Sequence, residues 1–327
     1  MRQAEQKRQG RRLRRAAASA TAAVAAVGLL AACSSISSSS GPASSGTPTS
    51  ASSGTPTSAS SGTASSASGG TASAAASCSN AAIQPDLYAK DQLTVATDSP
   101  AYSPWFENNQ PANGQGYESA VAYAIAGGLG FSKSQVKWVV EPFDSSYAPG
   151  PKRFDFDINE ISYSAQRAQA VSFSNSYYDV QQSLIALKGS PIVTAHSPAD
   201  LKGYVFGDQI GTTSLSFINT LIQPTQTPKV FNTLNDVAQA LATKQIAAFV
   251  TDTPTAQYIT SSGEIPKSVM VGQFPSTGEH YGLLFSKGDP LVTCVNQTLA
   301  TLAANGTLTA LQKKYLQLYL TVPTIKP

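Results

Sequence analysis

Arg167 is the sole charge between Ser162 and Tyr178. A planar guanidinium in such a run suits bidentate binding of a carboxylate, although an arginine on an open surface would leave the same trace. Gly211-Thr212-Thr213-Ser214 precedes an apolar stretch, the pattern of a helix N-cap. The unpaired N–H groups of such a helix start would suit an anion such as a carboxylate, and plain capping accounts for the pattern as well. Asp98, Asn159, Glu160, Ser162 and Asp252 complete the set of polar residues that could meet a small molecule. Other chemistries lack their residues. His196 and His280 have no partner at metal-ligand spacing, and no Ser-His-Asp set is apparent. The run Gly127-Gly128-Leu129-Gly130 ends a helical pattern instead of opening one, so it reads as a C-cap and not as a phosphate loop.

These residues need elements to carry them. Leu93–Thr97 reads as a short buried strand that ends at Asp98, and Tyr117–Leu129 carries a helical apolar pattern. Val136–Val140, Phe154–Ile158, Gln182–Leu187, Tyr204–Gly207 and Ala247–Thr251 read as further strands, with an amphipathic helix over Thr233–Thr243. Strands alternating with helices predict an α/β fold with mostly parallel sheets and ligand sites at the strand C-termini. Asp98, the Asn159–Ser162 group, Gly211–Ser214 and Asp252 all follow such strands.

The chain has 327 residues, 41% hydrophobic and 13% charged, with formal net charge +3. Wholesale disorder is excluded by the apolar fraction, and three cysteines exclude a disulfide-dense mini-scaffold. The charge is unevenly placed. Seven of the 22 basic residues and one of the 19 acidic ones precede Cys33, so residues 33–327 carry 15 basic against 18 acidic, net −3. Residues 1–32 have the form of a secretory signal peptide: a basic start, then the uncharged apolar run Ala16–Leu30, too short for a comfortable membrane span. Leu30-Ala31-Ala32-Cys33 resembles the bacterial lipobox, which implies lipidation of Cys33 and an anchor on the outer face of the cell membrane. Arg14-Arg15 lacks the wider twin-arginine context. Residues 33–77 are almost entirely Ser, Gly, Ala, Thr and Pro with an octapeptide repeat, a flexible tether whose r.m.s. reach is about 35 Å. No basic or aromatic cluster beyond the leader suggests nucleic acid.

Residues 91–320 resemble the family 3 solute-binding proteins, the periplasmic amino-acid-binding proteins of ABC importers. The resemblance is carried in order by Leu93–Asp98, Gly116-Tyr117-Glu118, Phe154-Asp155, Ser162-Tyr-Ser-Ala-Gln-Arg167 and Val171-Ser-Phe-Ser-Asn-Ser-Tyr-Tyr178. Leu201-Lys-Gly203, Gly211-Thr-Thr213, Val250-Thr-Asp252, Tyr281-Gly-Leu283, Lys287-Gly-Asp-Pro290 and Asn305-Gly-Thr-Leu308 continue it. It implies a two-lobed periplasmic-binding-protein fold (type II), with crossings near Ser183–Lys188 and Tyr281–Ser286. Lobe 1 would then be residues 91–184 with 283–327, and lobe 2 residues 185–282. It further implies that Arg167, Ser162 and the helix start at Thr212 and Thr213 take a ligand carboxylate, that Asp252 takes the α-ammonium, and that Phe143 and Trp105 cover the side chain.

Three departures stand out. Prolines in Ser146–Lys152 exclude the regular helix of the family. The Asp98 region carries an extra residue. Glu160 stands where relatives show Gly or Ser; its carboxylate would add to the ammonium contact, meet a cationic ligand side chain, or turn to solvent. With Cys33 lipidated, Cys78 and Cys294 remain for a disulfide in an exported protein, or stay as two buried thiols. The expected function is a monomeric, lipid-anchored receptor that passes a polar or cationic amino acid to an ABC permease and its ATPase, without metal or cofactor. The rivals are a dehydratase of prephenate or arogenate type, with Glu160 as general acid, and a sensor without transport.

Overall fold

The computed structural model describes residues 78–317 and 322–326. The leader, Cys33 and the tether lie outside the described residues. Within them the chain builds two α/β lobes. Lobe 1 holds a five-stranded sheet in the order β2-β1-β3-β10-β4: β1 Leu93–Thr97, β2 Val136–Val140, β3 Phe156–Asp157, β4 Ser172–Asp179 and β10 His280–Phe285. Lobe 2 holds β8-β5-β9, from β5 Gln182–Leu187, β8 Ala248–Asp252 and β9 Ser268–Gln273. The parallel pair β6 Gly207–Gln209 and β7 Lys229–Phe231 joins it through a bridge from Phe206 to Ala248. β1 pairs with β2 and β3 in parallel, whereas β4, β5 and β10, the strands nearest the crossings, pair antiparallel.

Alternation along the strands explains the layering. In β5, Leu184 and Ala186 face one apolar cluster with Phe206, Ile218 and Val250, while Ile185 faces another with Val237, Leu241 and Phe249. In lobe 1, β1 and β3 send Val95 and Phe156 toward helix α1 (Tyr117–Gly128) and α5 (Leu291–Ala304), which supply Val121, Ile125, Val295 and Leu299. A disulfide joins Cys78 to Cys294 on α5, tying the start of the folded body to lobe 1.

The strand pairings move the lobe boundaries from their expected positions. Most of Ser183–Lys188 lies in β5 of the lobe 2 sheet, bonded on both edges, and Tyr281–Ser286 lies largely in a lobe 1 strand. The chain crosses instead at residues 180–181 and 274–279, side by side: the Val180 N–H donates to the Glu279 carbonyl at 2.8 Å. A strand is kept where both its edges find partners, and apolar runs alone do not say which sheet provides them. Residues 322–326 likewise leave lobe 1. Thr324 bridges to Gln273, and Ile325 is 1% exposed within the lobe 2 core.

Candidate ligand cleft

The two lobes enclose a cavity of about 70 Å³ lined by Asp98, Tyr102, Phe143, Asn159 and Glu160 from lobe 1 and by Asp208, Gln209, Thr212–Ser214, Leu234, Thr251 and Asp252 from lobe 2. Strand ends supply many of them. Asp98 follows β1, Asn159 and Glu160 follow β3, and Asp252 closes β8. Four carboxylates face the cavity, and no Lys or Arg is among its lining residues.

Arg167 stands behind this wall, 8% exposed. Its Nη1 donates to the Ser162 carbonyl at 2.6 Å and its Nη2 to the Gly211 carbonyl of lobe 2 at 2.8 Å. The guanidinium lies 5.5 Å from the Phe143 ring centre and 4.6 Å from that of Tyr147. Gly211, at φ +74°, cannot be replaced freely: a Cβ there would lie 2.0 Å from the Tyr147 hydroxyl. Thr212 does cap helix α2 (Thr213–Phe217), its Oγ1 accepting the Leu215 N–H at 3.0 Å. Thr213 lies in the first turn beside the cavity, 3.4 Å from the Ser162 hydroxyl.

Asp252 is the best-supported acid. Its Oδ1 accepts from Gln182 Nε2 at 2.7 Å and its Oδ2 from the Tyr281 hydroxyl. Burial, followed by the repulsion of Glu279, pushes its carboxyl up to about 8, against the opposing pull of those hydrogen bonds. Gln182 serves as a hub: the same Nε2 reaches Glu279 at 3.0 Å, and its Oε1 accepts from Ser214. Glu279 also accepts the Ser162 hydroxyl proton at 2.6 Å, so that hydroxyl is engaged within the protein.

Glu160 is not turned to solvent. It lines the cavity with a left-handed backbone, φ +51°, a conformation that suits glycine and costs a larger residue about 1 kcal/mol or more. Two contacts offset that cost. Its main-chain N–H donates to Glu118 Oε1 at 2.7 Å, and its Oε2 accepts from the Thr255 hydroxyl at 3.1 Å. Burial, then the charges of Glu118 and Asp252, push its carboxyl well up. Glu118 itself is fully buried, accepts a hydrogen bond from the Tyr177 hydroxyl, and is pushed by burial up to about 7.

Trp105 departs from expectation. It is 0% exposed, edge-on to Tyr117, Tyr178 and Tyr281, with its indole N–H on Thr255 Oγ1 at 2.7 Å, and it does not line the cavity. An indole large enough to fill a core gap, with a partner for its N–H, is stable in that position. Tyr102, within the Pro/Ser-rich segment Ser99–Pro104, takes the place at the wall. Sequence reasoning missed Tyr102, Asp208, Gln182 and Glu279. A polar residue at the head of the apolar run Gln182–Leu187 was the one visible signal. Asn159 is 8% exposed, and its Nδ2 has no hydrogen-bond partner. Among the described residues no group of His, Cys, Asp or Glu could hold a metal ion, and no helix is long and apolar enough to cross a membrane.

A family profile described as bacterial extracellular solute-binding proteins, family 3, matches residues 93–318. The chain is 24% identical over 238 residues to a Pseudomonas aeruginosa protein named L-arginine-binding protein, covering 68% of this chain and 90% of the relative. It is 25% identical over 239 residues to the lysine/arginine/ornithine-binding periplasmic protein of Escherichia coli K12, covering 69% and 87%. Among solved structures, an ancestral arginine-binding protein bound to arginine superposes with TM-score 0.60 at 26% identity, over 70% of this chain and 99% of that one. An ancestral amino acid-binding protein, described as a precursor of cyclohexadienyl dehydratase, gives TM-score 0.58 at 26% identity, over 69% and 96%.

Proposed function

Because the chain belongs to the bacterial extracellular solute-binding proteins of family 3, we propose that it captures a cationic amino acid between its lobes and delivers it to an ABC importer. One observation carries the choice of ligand: Asp98, Glu160, Asp208 and Asp252 line a cavity without a Lys or Arg among its lining residues. Such a wall favours a ligand with two positive groups and one negative. Asp252 takes the α-ammonium, and the carboxylate goes to remaining N–H groups of Arg167 and to the helix start at Thr213. The side-chain cation lies between Tyr102 and Phe143, where aromatic faces and the carboxylates of Asp98 and Glu160 attract it. The unpartnered Asn159 Nδ2 offers one more donor. The names of the arginine-binding relatives support the same reading. Opening of the lobes about the two adjacent crossings admits the ligand, and closure removes the ion pairs from water, where they are stronger. Micromolar affinity, about −8 kcal/mol, is about −0.7 kcal/mol per non-hydrogen atom of arginine, within reach of a small polar ligand. Lipidation at Cys33 and the tether of residues 34–77 keep the receptor at the outer face of the membrane.

Calorimetry with L-arginine, L-lysine, L-glutamine, L-glutamate and putrescine tests this. Micromolar binding of arginine or lysine is the expected result; preference for glutamate, or for putrescine over both, rejects it. A second reading, a dehydratase, is favoured by one feature, a carboxyl at the cavity wall, Glu160, whose pKa burial pushes up. Turnover of prephenate by the purified protein would select it.

A further inference from the structure

We propose that Thr255 is a positioning residue that holds the Glu160 carboxyl in place and thereby ties ligand capture to closure of the lobes. The inference rests on the reading of the cleft as an amino-acid site. Thr255 belongs to helix α4 (Thr253–Ser262) of lobe 2 and is 1% exposed. Its hydroxyl accepts the Trp105 indole N–H at 2.7 Å and donates to Glu160 Oε2 at 3.1 Å. An indole nitrogen only donates, and a hydroxyl has one proton to give, so both bonds form at once. Both partners belong to lobe 1. A lobe 2 hydroxyl is thus inserted between two lobe 1 groups.

Glu160 needs this help. Its left-handed backbone is held by Glu118 through the main-chain N–H, and its side chain by Thr255. Glu118 lies in lobe 1 and keeps its grip when the cleft opens; Thr255 does not. Opening therefore frees the Glu160 carboxyl and leaves the indole N–H of Trp105 without its partner, a costly loss for a buried donor. Helix α4 begins directly after Asp252, so the element that presents the ammonium-binding acid also carries the hydroxyl that sets Glu160. A ligand gripped by both acids draws the two lobes into the arrangement in which Thr255 bonds both partners.

The bland role for Thr255 is to satisfy a buried indole, and the test separates the two. In the full chain with Trp138→Phe, Trp105 is the remaining one of two tryptophans and reports on this contact. Thr255→Val keeps the shape and removes the hydroxyl, Thr255→Ser restores it, and Thr255→Ala replaces the valine variant if that fails to fold. The valine variant is expected to release L-arginine about tenfold faster, the usual scale for one hydrogen bond to a charged or buried group. The Trp105 emission of arginine-bound protein should shift in the valine variant, where the closed lobes bring the two groups together, and serine should restore both. A dissociation rate unchanged in Thr255→Val, even with a lower unfolding temperature, overturns the proposal. If L-arginine does not bind the parent protein, the proposed ligand fails separately; the same rate and emission are then read with whichever of L-lysine, L-glutamine, L-glutamate or putrescine binds, and an unchanged dissociation rate in Thr255→Val overturns the coupling.

Discussion

The guanidinium of Arg167 reaches across the cleft to the main-chain carbonyl of Gly211, 2.8 Å from Nη2. A lobe 1 cation thus grips a lobe 2 backbone at the start of the helix that lines the cavity, stacked on Phe143 and Tyr147. Replacing Arg167 by Ala removes the proposed partner of the ligand carboxylate and this link together. Hydrogen bonds to charged groups contribute about 1.5–3 kcal/mol, so arginine affinity should fall on the order of 100-fold. Arg167→Lys should rescue little of it, because the fork is lost with the charge kept. Calorimetry showing wild-type affinity in Arg167→Ala would remove Arg167 from the site.

Glu160→Gln distinguishes the two roles open to this acid. As a partner of the ligand side chain, its neutralisation should weaken arginine and lysine about tenfold and leave glutamine unaffected. Equal losses for all three would assign Glu160 to the α-ammonium.

The buried acids set a direction for pH. Asp252 is raised from 3.8 to about 8 and Glu118 from 4.5 to about 7, both mainly by burial. A carboxyl whose pKa rises on folding binds its proton more tightly in the native state, so its contribution is complete below pH 4 and is lost as pH climbs to 7–8. Ligand-free protein should unfold at a lower temperature at pH 8.5 than at pH 5.5, and Asp252→Asn should flatten that slope. A cationic ligand needs the ionised form, so arginine should bind more tightly at pH 8.5 than at pH 6 and release protons on binding. Calorimetric heats that do not vary among buffers of different ionisation enthalpy would refute the linkage.

The bond between Cys78 and Cys294 spans a sequence separation of 216 residues. Restricting so long a loop in the unfolded chain contributes on the order of 2–4 kcal/mol. Reduction, or Cys294→Ser, should lower the unfolding temperature by several degrees while arginine affinity holds, because both cysteines lie away from the cavity lining.

Ile325 is the apolar plug of the C-terminal strap, with the Pro323 carbonyl accepting from Gln273 N–H at 2.7 Å and Ile325 N–H donating back at 2.9 Å. Ile325→Ala should cost about 2–4 kcal/mol, the usual range for emptying a buried aliphatic site. Chemical denaturation would show it as a lower midpoint with little change in slope.

Local patterns made much of the framework legible. Leu93–Thr97, Val136–Val140 and Gln182–Leu187 are strands over the spans their apolar runs suggest, and Tyr117–Gly128 is a helix ended by its glycines. Strand ends and helix caps are local signals too, and they bring Asp98, Asn159, Glu160, Thr213 and Asp252 to one cavity. Trp105 and Tyr102 show the limit. Both are aromatic residues in one turn, and only packing against Tyr117, Tyr178 and Tyr281 decides that the tryptophan goes inward and the tyrosine meets the cleft.

The sequence by itself determined the alternating α/β framework, an acidic body behind a basic N-terminal segment, and several of the strand-end and helix-start residues that face the cleft. These follow from side-chain periodicity and composition, which are properties of neighbours along the chain. The tertiary structure alone decided which sheet receives β5 and β10, the return of the tail to lobe 2, and the two-sided hold on Glu160 by Glu118 and Thr255. Each of those depends on pairing between distant residues, where a donor's partner is whichever acceptor the fold brings within reach.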